Sequence, residues 1–503
     1  MRRWLIATVL AGVTVFGACS LLLPERYAVN GPMLQMMFGR GAETPGKSLI
    51  EQRIQVPDGY AINFYAGDLA DARMLRFTTT GDLLVSKPRS GEIVLLERDD
   101  DGDGHPDGRR TLLTGLHGPH GLDVHGPWLY IGESDAIARI RFDPATRTTQ
   151  GEVERIITGL PGGGNHWKKT VRIGPDGWLY VSVGSSCNVC VEEDERRATL
   201  LRFRPDGSQP EIYATGLRNT VGFDWHPVTG QLYGTDNGRD LLGNDFPPCE
   251  LNAIDRGNFY GWPFANGDRV IDPDLGEGHE AQIATSVPPA HAFRAHNAPL
   301  GIVFLTHEKT PADLRNSALV ALHGSWNRTR KDGYKVVSLH WGDDGEIEER
   351  DFVSGFERDE SVLGRPVDIA QGPDGEIYIS DDFMGGIWRV THGEGPSMNR
   401  DTRPALRAAS PPQKPVPADP EQVARGQALY EANPCASCHE KSRASEGVVA
   451  HPLRNLAQRY SAQDLAAVLA APPAAMPVYP LTPAEREDLA AYLLQMPPVP
   501  SHP

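Results

Sequence analysis

The chain has 503 residues, more than one hydrophobic core usually fills, so two or more domains are expected. Its formal net charge of -17, with no lysine- or arginine-rich run, excludes nucleic acid as an expected partner.

In chain order, Arg2-Arg3 precede an apolar run from Trp4 to about Leu23, which reads as a leader over residues 1–23. Gly17-Ala18-Cys19 has the form of a lipobox end, with Phe16 where an aliphatic residue is usual. A cleaved signal, a lipidated Cys19 and a retained anchor helix remain three alternatives. Each sends the rest of the chain to the periplasmic side, and the last two attach it to the membrane through its N-terminus.

From residue 48 to 396 one pattern recurs: a turn rich in Gly, Asp or Pro, then a short strand of alternating character. It appears at Thr80–Ser86, Gly126–Gly132, Pro175–Ser182, Thr229–Thr235, Asn316–Leu322 and Pro373–Ser380. Spacings of roughly 40–70 residues fit blades with long loops, so a six-bladed β-propeller is expected in preference to a pair of β-sandwiches. The stretch Asp58–Tyr65 is suited to close the ring against the last blade.

Residues 397–418 are rich in Pro, Ala and charge without periodicity and read as a semi-rigid linker. From 419 to 498 the pattern becomes helical, giving a small all-α domain. Asp419 is an N-cap with Pro420 in the first helical position. Thr482 to Glu485 form a capping box ahead of a helix over Arg486–Gln495, with Leu489, Tyr492 and Leu493 on one face. Between them lies Cys435-Ala-Ser-Cys438-His439, the attachment signature of haem c. The two thiols would bind the porphyrin, and His439 would ligate the iron. The sixth ligand is expected to be Met476, in a Pro-rich loop, rather than Met496, His451 or His502. This region resembles class I cytochrome c domains.

The chain has six cysteines in all. Cys19 belongs to the leader and Cys435 and Cys438 to the haem, which leaves Cys187, Cys190 and Cys249. A Cys187–Cys190 bridge with a free, buried Cys249 is the expected arrangement. Asp99 to Gly104, with Asp107, begins like a calcium loop but has Arg110 at its twelfth position, so a solvated acidic hairpin and a calcium site stay open.

The loops at the strand ends carry polar groups: Asn165-His166, Leu217-Arg218-Asn219, Asp236–Asp240, His323–Arg328 and Gly364-Arg365-Pro366. With Gly174–Gly184 and Gly257–Pro263, these segments resemble the soluble quinoprotein aldose dehydrogenases. Ser185–Cys190 and His323–Arg328 are similar more particularly to the sorbosone dehydrogenase branch.

That resemblance implies a six-bladed propeller using pyrroloquinoline quinone (PQQ) and calcium. It implies His166 as the base that deprotonates a sugar hydroxyl, with Asn165 in place of a common Asp and able to orient the ring. It further implies Arg218 over the quinone with Asn219 beside it, and Arg328 and Arg365 on the PQQ carboxylates. Gly238 and Arg239 would give backbone carbonyls to calcium, and His117, His120 and His296 would line the pocket. The expectation is an exported PQQ-dependent sugar or aldehyde dehydrogenase fused to its own haem c domain and feeding an external cytochrome or quinone acceptor. The rivals are a calcium-dependent propeller hydrolase and a propeller that only binds a partner.

Overall fold

The computed structural model describes residues 25–32, 45–342 and 345–393, and in the C-terminal segment 419–433, 435–439, 443, 453, 456, 462–470 and 481–495. The leader, the linker and Met476 lie outside the described residues. The chain divides into two compact units, Met1–Met398 and Asn399–Pro503.

The first unit contains six four-stranded antiparallel sheets. Their innermost strands are Leu75–Phe77, Leu122–His125, Lys169–Ile173, Thr220–Trp225, Pro299–Phe304 and Pro366–Gln371. This is the six-bladed propeller. All six repeats named from sequence fall on the second strand of a blade: Leu83–Lys87, Trp128–Gly132, Leu179–Val183, Leu232–Asp236, Ala318–Leu322 and Ile377–Asp381. These strands alternate less than expected, and Leu179–Val183 and Ala318–Leu322 are buried at every residue. The reason is the stacking of blades: a second strand has a neighbouring sheet on each face, so both side-chain rows need apolar residues.

The apolar clusters therefore lie between blades. Leu84, Ile93 and Leu95 meet Leu122, Leu129 and Ile131, and the next pair of blades joins Tyr130 and Ile137 to Val171, Leu179 and Val181. Each such aliphatic side chain contributes roughly 1.5–3 kcal/mol by leaving water. The ring closes as expected, because Tyr60–Ala66 pairs antiparallel with Gly386–His392 as the outermost strand of blade six.

Charges on the innermost strands add a second fastening. Asp123, Asp224 and Asp368 each accept the backbone N–H of the following blade's inner strand, at Ile173 (2.6 Å), Phe304 (2.9 Å) and Leu75 (2.8 Å). Arg76 lies 3.4 Å from Asp123, and Arg172 lies 3.0 Å from Asp224.

In the second unit the Asp419 side chain caps helix Pro420–Ala432, and the capping box opens helix Pro483–Leu493. The latter starts three residues earlier than expected because Pro483 takes its first position. These helices cross at Gly426, where a Cβ would fall 2.0 Å from the Asp488 carbonyl oxygen. A further helix, Ala462–Ala470, shares their apolar cluster through Leu465 and Leu469. Cys435 packs against that cluster, and His439 ends the helical turn Ala436–His439. Among the described residues no helix is long and apolar enough to cross a membrane.

Candidate active site

The residues just before the innermost strands and those just after the antiparallel second strands meet at one end of the central channel. Arg73, His120, Lys168, Arg218, Asn219, His296 and Arg365 come from the first set. Ser185, Asn237, His323 and Asp382 come from the second. The fold thus gathers residues separated by as many as 309 positions, as Arg73 and Asp382 are.

His166 is half-buried beneath this rim. Its Nδ1 lies 2.8 Å from Ser185 Oγ and 3.1 Å from Ser185 O. Ser185 Oγ donates its own proton to the Cys187 carbonyl at 2.8 Å, so towards His166 it can only accept. Both partners of Nδ1 are acceptors, which assigns the ring proton to Nδ1 and leaves the Nε2 lone pair free. Burial, then the charge of Arg218, pulls the imidazole down to about 3, so it stays neutral at ordinary pH. The expectation that Asn165 orients the ring is corrected. Asn165 is exposed, and Ser185 performs that task. Gly184 is required at the base of this arrangement, since a Cβ there would lie 2.5 Å from His166 Cβ and 3.1 Å from Asn219 Oδ1.

Arg218 is buried, and its guanidinium is ringed by oxygen. Nε donates to Asn188 O (2.9 Å), Nη1 to Asn237 O (2.9 Å) and Gly238 O (3.0 Å), and Nη2 to Asn188 Oδ1 (2.9 Å) and Asp240 Oδ2 (3.5 Å). Burial lowers its pKa from the ordinary arginine value. His296, at a positive φ of 64°, donates from Nε2 to Gly243 O (2.8 Å) and turns Nδ1 to within 3.6 Å of Asp240 Oδ1. Asn219 is joined to the same loop, its backbone N–H bonding Asp236 Oδ1 at 2.9 Å.

A second cluster is basic. Asp382 accepts from Arg73 Nη1 (2.8 Å) and from His323 Nε2 (3.1 Å), while His323 Nδ1 accepts from Arg365 Nη2 (2.9 Å). Burial pushes the Asp382 carboxyl up, but His323, Arg365 and Arg73 together outweigh it and hold it well below the usual range. Burial, then Arg365, lowers His323 to about 4. Lys168 Nζ lies 4.5 Å over the Trp167 ring and has no hydrogen bond among the described residues. Burial, then Arg73, lowers it to about 8. His120 is fully buried, with Nδ1 3.5 Å from Thr170 Oγ1, and its Nε2 is unpaired, as is Arg73 Nε. Burial, then Arg73 and Lys168, holds the His120 ring far below its ordinary value and therefore neutral.

The remaining expected residues are more scattered. His117 is exposed and pairs with Asp135 at 2.9 Å. Arg328 is buried against Asn244 O, Ala295 O (3.1 Å) and Asp245 (3.0 Å). The Arg239 side chain turns away to Asp272 and Asp274, both at 2.7 Å. Cys187 and Cys190 form the expected disulfide. Cys249 is a free buried thiol, pushed by burial to about 11. In the acidic hairpin, Asp99 is already engaged by Arg389 (2.5 Å) and the N–H groups of Gly102 (2.8 Å) and Gly104 (3.0 Å).

Arg73, Lys168, Asp382, Ser185, Asn188 and Asp240 were missed as site residues in the sequence. Ser185, Asn188 and Asp240 lie within the Ser185–Cys190 and Asp236–Asp240 segments without a role of their own there, and no motif marks Arg73, Lys168 or Asp382. Their signal is positional: each sits at the same end of a repeat as His166 and Arg218.

Residues 54–247 and 246–393 match the TrAA12-like family, and residues 421–493 match cbb3-type cytochrome c oxidase subunit III. An uncharacterised protein of Borreliella burgdorferi is 32% identical over 295 residues, covering 56% of this chain and 77% of that protein. The PQQ-dependent pyranose dehydrogenase of Coprinopsis cinerea is 25% identical over 423 residues, covering 70% of this chain and 56% of that enzyme. The holo PQQ domain of the Coprinopsis pyranose dehydrogenase superposes with a TM-score of 0.58 at 24% identity, over 68% of this chain and 97% of the domain. A calcium structure of the Trichoderma reesei family AA12 enzyme gives 0.59 at 21% identity, over 68% and 97%. At these identities the structural likeness establishes the fold.

Proposed function

Because the chain belongs to the TrAA12-like family, we propose that its propeller oxidises a sugar or aldehyde with PQQ and passes the electrons to a haem c in residues 419–498. The observation that carries this reading is His166: a neutral imidazole with a free Nε2 beside a buried guanidinium, at the mouth of a channel.

The residues at the mouth fit PQQ. A cofactor with three carboxylates needs cations and donors with capacity to spare. Lys168 Nζ, the orphaned Arg73 Nε and Arg365 supply the charge, and His120 offers an unpaired Nε2. When bound, PQQ supplies a quinone able to accept two electrons as hydride. His166 Nε2 takes the proton of the substrate hydroxyl, and Ser185 holds the ring in the tautomer that makes this possible. Arg218 supplies a fixed positive charge that needs no reorganisation, because its surrounding oxygens already orient it. Its five hydrogen bonds match its five N–H groups, so it acts chiefly through charge.

The carbonyls of Gly238 and Arg239 are hard oxygen donors of the type calcium prefers, and the Gly238 oxygen is shared with Arg218. In the second unit Cys435 and His439 stand at either end of one helical turn beside an apolar cluster, as a covalent haem requires. Export to the periplasmic side is part of the reading, as is an external electron acceptor.

Titrating the apo-protein with PQQ and calcium, while following the haem band against aldoses, alcohols and aldehydes, tests the proposal. Sugar-dependent haem reduction that requires both additions is expected. Hydrolysis of lactones without haem reduction would replace it with the hydrolase reading.

A further inference from the structure

The loop after the second strand of blade three is covalently closed by Cys187–Cys190, whose Cα atoms lie 6.2 Å apart. Neither sulfur bonds to Arg218, but Asn188, inside the closed ring, faces it with both of its oxygens. Its backbone carbonyl accepts Arg218 Nε at 2.9 Å, and its side-chain Oδ1 accepts Nη2 at 2.9 Å. The amide is fixed in turn by the neighbouring blade: Oδ1 also accepts the Asp240 N–H (2.8 Å), and Nδ2 donates to Asp240 O (3.1 Å). Trp262 Nε1 adds a 3.4 Å bond to the Asn188 carbonyl.

The base is connected to the same ring. The Cys187 carbonyl receives the Ser185 hydroxyl proton, which makes Ser185 an acceptor for His166 Nδ1. Glu192 holds the loop from its far side, accepting Ser186 N (2.6 Å) and Ser186 Oγ (2.7 Å). A cross-link between residues three apart leaves the backbone little freedom, so the two Asn188 oxygens keep the spacing that a planar guanidinium fork requires.

We propose that Asn188, clamped in the Cys187–Cys190 ring, is the positioning residue for Arg218, and that the same ring sets the tautomer of His166 through Cys187 O and Ser185. The inference rests on the function proposed above, because it assigns Arg218 and His166 their reactive roles.

The test uses the full holo-protein. Asn188→Ala is expected to lower kcat by about tenfold to a hundredfold, the scale of a misplaced reacting group. KM should stay within about twofold and the haem spectrum unchanged, while the thermal midpoint falls modestly because Arg218 Nη2 and the Asp240 N–H lose an acceptor. Asn188→Asp keeps an Oδ for Arg218 and for the Asp240 N–H but sets a carboxylate oxygen against the Asp240 carbonyl in place of Nδ2, and should recover part of the lost kcat. The Cys187→Ser/Cys190→Ser double variant, which keeps Asn188 but opens the ring, should fall between wild type and Asn188→Ala. Wild-type kcat in Asn188→Ala, or a loss of kcat accompanied by a comparable rise in KM, overturns the proposal. A crystal structure of apo Asn188→Ala decides the point without turnover. An Arg218 guanidinium turned off the Asn237 and Gly238 carbonyls supports the assignment, and an unmoved one sinks it. Failure of the wild type to oxidise any sugar would defeat only the functional reading.

Discussion

The inner strands of the propeller carry two rings of charge a few residues apart, and the two behave differently. Along the channel wall, Asp123, Asp224 and Asp368 each bond a backbone N–H of the next blade, and Arg76 and Arg172 lie against two of them. At the mouth, Lys168 Nζ, His120 Nε2, Arg73 Nε and His166 Nε2 keep bonding capacity that no described protein group uses. The same strands therefore build a fastening at one level and the proposed binding site at the next. What separates them is chiefly the pairing of the carboxylates, since Arg172 Nε on the wall is an unpaired donor as well. A buried charge with its partner holds blades together, whereas unmet donors and lone pairs are retained where a ligand can meet them.

The comparison can be broken most directly at His166. His166→Ala should abolish substrate-dependent haem reduction, a loss of about 10²–10⁴-fold, with the haem spectrum and the thermal midpoint intact. Unimpaired reduction would remove His166 from the chemistry. The wall responds in the opposite sense. Asp224→Ala leaves Arg172 and the Phe304 N–H unmet, and should cost about 3–5 kcal/mol in denaturant unfolding. A change below about 1 kcal/mol would show that the wall charges are not a fastening.

A smaller effect sharpens the mouth. Lys168→Ala removes a cation that no described residue hydrogen-bonds, so PQQ affinity should fall about tenfold, with stability unchanged or slightly raised. Equal affinity for PQQ would move the carboxylates elsewhere. The smallest expected effect is a flat line. Because burial and Arg218 lower His166 to about 3, its base form persists as pH falls. kcat/KM should then be level from about pH 8 to about pH 5, where a hydrated imidazole would already be largely protonated. A half-loss near pH 6.5 would mean that the ring is open to water when it works.

Much of the fold was legible because repetition makes it so. Six turn-and-strand signals fell on six second strands, and Asp58–Tyr65 became the closing strand, since a short apolar strand after a turn must find a sheet. His166 and Arg218 were singled out through resemblance, and the structure brings them near one another. Ser185 was not, because its role depends on where its hydroxyl proton goes, and that is decided by the Cys187 carbonyl. Asp382 was equally silent: a second Asp after a strand has no meaning until Arg73 and His323 arrive from other blades.

By itself the sequence determined the propeller, the helical segment that carries the Cys435–His439 signature, and the Cys187–Cys190 pair, because each depends on residues near one another in the chain. Only the tertiary structure decided which groups at the channel mouth are saturated and which are spare. That is a matter of distances between atoms on different blades, and local spacing carries no information about it.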